Sequence, residues 1–290
     1  MFLAISGISF GMMPIFAKLA YQTGVGVIQL LFMRFLFAFI ALGLVLFAFH
    51  KLKLPRKRDL GLLIVMGALG YFLMSTFYFT ALLYSPVAIV ELILYTYPAF
   101  VIIGSRLLGW EGITRRMAGS VVVAMTGLLL VANPLGAPLG LGAILAFLNS
   151  VAYTAYILGG TNILKRVKGE LASFYVMGGA CLSFAVASGA TGSILPDWQP
   201  IGWVWILMLA LVSGVVAMTT FFLGLTLIGP SRSSIISLLE PLTASAAAFV
   251  VFAQTLSTVQ VVGGALILVS AFTMAFSGSA GGGSRPQAAS

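Results

Sequence analysis

Charge is what this chain lacks most. Of 290 residues, 7% are Asp, Glu, Lys or Arg, only six of them are acids, and 61% of the chain is hydrophobic. A water-soluble domain of that composition would expose most of its apolar side chains, so a soluble fold is excluded. There is one cysteine, Cys181, so no intrachain disulfide is available. One histidine, His50, and one cysteine do not build a typical zinc site. No Walker loop is present, which excludes ATP hydrolysis by that route. No catalytic or metal-ligand constellation stands out, so neither an enzyme nor a cofactor is expected. The net charge of +9 is not a nucleic-acid footprint, because the basic residues sit between apolar runs as topology signals do.

What is present is a series of long apolar runs. A helix crossing a bilayer needs about 20 apolar residues. Ten candidate spans emerge, at about 2–21, 26–49, 60–83, 87–109, 115–132, 139–162, 170–190, 201–227, 231–253 and 258–277. An outer-membrane barrel would instead show short alternating segments. The expected fold class is an all-α polytopic membrane protein. Breaks are marked by Pro55, Ser85-Pro86, Asn133-Pro134, Pro196 to Pro200 and Gly229-Pro230. The first run has no basic segment before it and reads as a retained span rather than a cleaved signal, compatible with a start further upstream. The Gly- and Ser-rich tail, 278–290, reads as disordered.

The cations orient the spans. Lys51, Lys53, Arg56, Lys57 and Arg58 follow span two. Arg106, Arg115 and Arg116 flank the junction of spans four and five, and Lys165, Arg166 and Lys168 follow span six. Arg232 follows span eight and Arg285 lies in the tail. These junctions share one face if both termini do, which predicts cytoplasmic termini in the cell's inner (plasma) membrane. Trp198, Trp203 and Trp205 then lie at the outer interface and Trp110 at the inner one.

Two stretches repeat each other at an offset of 144 positions. Gly70, Met74, Thr76, Phe77 and Pro86 match Gly214, Met218, Thr220, Phe221 and Pro230. With one residue gapped, Tyr97-Pro98 aligns with Glu240-Pro241, and Gly119 then matches Gly263. The halves are 1–133 and 139–277. Five spans per half is an odd number, so the second copy enters from the opposite side. The expected architecture is therefore ten transmembrane helices as two inverted five-helix repeats, the symmetry that underlies alternating access.

In the first half these residues include Leu31-Phe32-Met33-Arg34-Phe35-Leu36, Leu94-Tyr95-Thr96-Tyr97-Pro98 and Leu108-Gly109-Trp110-Glu111. In the second they include Leu239-Glu240-Pro241 and Gly263-Gly264-Ala265-Leu266-Ile267. Together they resemble the drug/metabolite transporter superfamily, EamA branch, over essentially residues 1–277. The family has an acid after spans four and nine; Glu111 keeps it and Gln254 replaces it. The resemblance implies that spans three, four, eight and nine, with one and six, surround a central cavity. Spans five and ten would be peripheral. It also implies export or facilitated movement of small metabolites, commonly amino acids.

Ionisable groups inside a membrane are functional candidates by default. Glu240 is the sharpest, about 15 Å into span nine and followed by helix-disrupting Pro241. It would hold an ammonium group or carry a proton, or else be a structural acid. Glu91 is the second proton-coupling candidate, or a vestibule residue; it shares a helical face with Tyr95, Pro98 and Ile102. Asn149, Tyr153 and Tyr156 form one polar stripe on span six, lining a cavity or bonding between helices. Tyr78 on span three is matched by Phe222 on span eight, as a cavity wall or as packing. Ser233, Ser237 and Glu240 form another stripe, which also fits close helix packing. Arg34, about 12 Å deep in span two, would attract a carboxylate, cap carbonyls of a neighbouring helix, or meet Glu91. Lys18 reads as a snorkelling residue.

These features point to a secondary transporter with a small-molecule substrate, embedded in the lipid bilayer. Its substrate would bind between aromatic walls, Arg34 and Glu240. Amino acids or related amines lead; nucleosides, flavin-like compounds and quaternary amines remain open. So do two other classes, a lipid-acting membrane enzyme and a non-transporting receptor or scaffold. Gly263-Gly264 on span ten fits helix association in a homodimer, and a monomer equally.

Overall fold

The computed structural model describes residues 1–85, 87–110, 112–132, 140–192, 198–252 and 257–276. Pro86, Glu111, Asn133, Pro134, Pro196, Gln254, Arg285 and the tail from 278 lie outside the described residues. Among those described, every regular element is helical. This follows from the solvent: in hydrocarbon each backbone N–H and C=O must be satisfied within its own segment.

The first half comprises α1 (Phe2–Gly11), α2 (Met13–Gln22), α3 (Val27–Ala48), α4 (Lys57–Val65), a π-helical turn (Met66–Tyr71), α5 (Phe72–Tyr84), α6 (Val87–Leu94), α7 (Tyr97–Leu107) and α8 (Arg115–Ala132). The second comprises α9 (Leu141–Leu164), α10 (Gly169–Ala190), α11 (Gly202–Ala210), a π-helical turn (Leu211–Val216), α12 (Ala217–Ile228), α13 (Pro230–Ile236), α14 (Leu239–Phe252) and α15 (Thr258–Phe276). Among the described residues, seven helical segments are long and apolar enough to cross a membrane, from Phe2–Gln22 to Gly202–Ile228. The chain is an all-helical, polytopic membrane protein. Helices α8, α14 and α15 fall where spans five, nine and ten are expected.

Large apolar side chains point outward all round: Leu44, Phe47, Leu107, Val186 and Val250 are all exposed. The interior instead collects Arg34, Glu91, Glu240, Asn149, serines and tyrosines. A soluble protein sorts the other way.

Three expected spans are not continuous helices. Span one breaks at Met12, span four at Tyr95 and Thr96, and span nine at Ser237 and Leu238. Each break ends two or three residues before a proline: Pro14, Pro98 and Pro241. Proline lacks the N–H that would bond four residues back, and its ring clashes with that carbonyl. At the second and third breaks the chain tightens into three-residue turns. Thr96 N–H donates to Ile93 O (3.2 Å), Leu238 N–H to Ile235 O (3.2 Å) and Glu240 N–H to Ser237 O (2.9 Å).

Spans three and eight carry the π-turns, and Gly70 and Gly214, paired by the sequence repeat, lie one in each. The first turn packs on α10, where the backbones nearly touch. A Cβ on Gly67 would sit 2.0 Å from Val176 O, and one on Gly179 would sit 2.4 Å from Ile64 O. Only glycine fits either position.

Candidate functional site

The three helix breaks converge. Phe10, Met13 and Pro14 from the first, Leu94 and Tyr95 from the second, and Glu240 after the third enclose a space of about 20 Å³ with Tyr78 and Glu91. Beside it lies a cavity of about 60 Å³ lined by Arg34, Tyr71, Tyr78, Asn149, Tyr153, Tyr156, Phe221, Phe222 and Glu240, among others. Glu240 and Tyr78 border both. Broken helices are costly in lipid and are tolerated where they line a cavity.

The two acids are held by phenols. Tyr95 donates to Glu240 Oε2 at 2.7 Å, and Tyr78 donates to Glu91 Oε1. Both carboxyls are buried. Glu240 is brought to the cavity by its place in the first turn of α14, directly after the proline-induced turn. The α1–α14 approach fixes that turn: a Cβ on Gly11 would lie 2.6 Å from Glu240 O and 2.5 Å from Thr243 Cβ.

Arg34 is 1% exposed. Its Nη2 donates to Ser213 O at 3.0 Å, inside the second π-turn. Its guanidinium also stands 5.1 Å from the Phe35 ring centroid and 5.7 Å from that of Phe79. Among the described residues no carboxylate lies within 4.0 Å of it. A buried cation without a paired acid is expensive. The Ser213 hydroxyl in turn donates to Ser9 O (2.8 Å), and Ser6 to Ala217 O (2.9 Å), tying α1 to span eight.

Four polar atoms on the larger cavity have no hydrogen-bond partner among the described residues: Arg34 Nε, Asn149 Oδ1, Tyr156 OH and Glu240 Oε1. Leaving a buried polar atom unpaired costs about 1–3 kcal/mol each. Four such atoms around one space are free to bond with a molecule that enters it.

Of the residues expected from sequence, Arg34, Tyr78, Asn149, Tyr153 and Glu240 line the larger cavity, and Glu91 and Tyr95 the adjoining space. Ser237 lines neither; it is buried and its hydroxyl donates to Ser233 O at 3.1 Å. The face expected to join Glu91, Tyr95, Pro98 and Ile102 is divided, because the break at Tyr95 and Thr96 separates α6 from α7. The stripe of Ser233, Ser237 and Glu240 is divided in the same way by the third break. Arg34 meets a neighbouring carbonyl and not Glu91. Tyr71, Phe10 and Met13 were not expected. Tyr71 had a signal, since it directly follows repeat residue Gly70; the two span-one residues had none.

A model of the EamA-like transporter family matches residues 1–133 and 140–276. The chain belongs to the EamA-like transporter family and is a membrane transporter of small molecules rather than an enzyme. An uncharacterized transporter of Archaeoglobus fulgidus is 27% identical over 269 residues, covering 92% of each chain. A solved crystal structure superposes with a TM-score of 0.76 at 19% identity, covering 94% of this chain and 98% of the other; that likeness concerns the fold.

Proposed function

We propose that the chain moves small zwitterions, amino acids or closely related amines, across the plasma membrane as an exporter. Glu240 Oε1 receives the ammonium and Arg34 the carboxylate. Asn149 and Tyr156 complete the remaining bonds, and Tyr153, Phe221 and Phe222 pack the side chain. The carrying observation is that a buried cation and a buried acid, each with an orphan polar atom, face one aromatic-walled cavity. A purely cationic substrate would suit the aromatic rings but would be repelled by Arg34.

The cavity of about 60 Å³ has room for a few waters and falls well short of the ~300 Å³ at the lower end of small-ligand pockets. Loading therefore requires the helices to part. In this reading they form ten spans in two inverted repeats, 1–133 and 139–277, that rock about the site with both termini cytoplasmic. The paired π-turns and paired breaks support the repeat. The outward direction rests on the family resemblance. Glu240 and Glu91, joined by Tyr95 and Tyr78 around one space, are the groups through which a proton would couple. Counterflow in proteoliposomes with a panel of labelled amino acids tests the reading. Exchange is expected in wild type and lost in Glu240→Gln; no exchange of any amino acid by the wild type overturns it.

A further inference from the structure

A second recess, of about 480 Å³, lies where the α3–α4 loop meets the α9–α10 junction. Five cations border it, Lys51, Lys53, Arg56, Arg166 and Lys168, against two acids, Asp59 and Glu170. Asp59 is spent on Arg166, at 2.7 Å. Four cations then face one acid, Glu170, which is the negative group an anion would meet there.

The recess is built rather than incidental. His50 turns the chain with φ of 53°, and the Lys51 and Leu52 amides both donate to Leu46 O, at 2.8 and 3.2 Å. From the other side the Tyr175 hydroxyl donates to Lys53 O at 3.0 Å. Helices α4 and α10 both start here, with Arg56 and Lys168 at their N-caps and no side-chain cap on either. Their N-terminal amides add to the positive field. The topology role of basic loops requires charge on one side of the membrane; it requires neither a recess nor an anchored loop.

We propose that this recess binds the phosphate-bearing headgroup of an anionic phospholipid. The source is a lipid because the recess opens beside lipid-facing surface: Leu54 in its wall is 76% exposed, and Phe47 and Phe49 at the end of α3 are 70% exposed each. The headgroup lies among the lysines while its chains run along α3. This site is separate from the transport cavity and does not rest on the substrate reading.

The test is native mass spectrometry of the full chain in dodecyl maltoside micelles doped with dioleoyl phosphatidylglycerol or dioleoyl phosphatidylcholine. Wild type is expected to retain the anionic phosphatidylglycerol preferentially. Lys51→Gln/Lys168→Gln is expected to weaken that retention about 30-fold, and Glu170→Gln to strengthen it about 5-fold. The strengthening is a change that misfolding does not imitate. The double variant Arg106→Gln/Arg115→Gln, which removes the same charge elsewhere, is expected to change it little. Equal retention of the two lipids, or an equal loss in the control variant, overturns the proposal. Displacement of the lipid by an equal concentration of inorganic phosphate also overturns it, in favour of a free-phosphate site.

Discussion

Replacing Arg34 by Met is expected to weaken recognition of zwitterions without unfolding the protein. The guanidinium is 1% exposed and donates to Ser213 O at 3.0 Å, with the Tyr71 hydroxyl beside it. Losing that bond orphans a buried carbonyl, at about 1–3 kcal/mol, and the contacts with Phe35 and Phe79 contribute about 1 kcal/mol more. Against this stands the desolvation of an unpaired cation, several kcal/mol even after relaxation. A methionine of similar length relieves that term, so unfolding stability should stay within ~2 kcal/mol of wild type or rise. The transported carboxylate loses a charge-assisted bond of about 1.5–3 kcal/mol, a 10- to 150-fold weaker affinity. Thermal unfolding in detergent micelles and counterflow KM values, for an amino acid and for its decarboxylated amine, separate the two effects. The amino acid should lose affinity by that factor while the amine does not. A variant that unfolds more easily by over ~3 kcal/mol, yet handles amino acids normally per folded molecule, would show Arg34 to be a structural brace and remove the basis of the zwitterion reading.

Tyr95→Phe removes the donor to Glu240 Oε2 and should raise the counterflow KM about 10-fold; an unchanged KM and rate would detach Tyr95 from the site. Gly11→Ala places a methyl 2.6 Å from Glu240 O and should cost about 1–3 kcal/mol of stability together with transport. Gly61→Ala, in open space on α4, should gain up to about 1 kcal/mol from helix propensity, and calorimetry of the pair checks both signs. Arg166→Gln strands buried Asp59 and should destabilise by about 1–3 kcal/mol, discounted for the half-exposed arginine. Adding Asp59→Asn should restore most of the loss, and a double-mutant cycle showing no coupling would reduce the pair to a surface contact.

How much of this was legible in sequence depends on the scale of the signal. The helical membrane architecture rests on long apolar runs, and any one of them suffices to see it. Glu240 and Arg34 announced themselves because an ionisable group in an apolar run is conspicuous. So did the span-six stripe, whose helix, α9, is unbroken and presents Asn149, Tyr153 and Tyr156 together. Helical arithmetic failed at Pro98 and Ile102, and at Ser237, because it was carried across turns where the helix stops. Prolines marked those turns, but whether a proline bends or breaks a span depends on neighbouring segments that sequence spacing does not reveal. Phe10 and Met13 were invisible because nothing distinguishes a cavity-lining apolar residue from a packed one before the helices are assembled.

The two π-turns have a consequence for how spans three and eight are numbered in space. A π-turn accommodates one residue more per hydrogen-bonded ring than an α-turn, and one extra residue amounts to about 100° of rotation on a helix of 3.6 residues per turn. Within Lys57–Tyr84 the leading segment meets α10 at Ile64 and the turn meets it at Gly67, while Tyr71, Met74 and Tyr78 all line the cavity. Deleting one residue at Gly70 or Gly214 would straighten the helix and swing one segment's aromatic face away from the other's. These spans work like keyed shafts: their length across the bilayer would scarcely change, yet their two ends would no longer be clocked to the same centre.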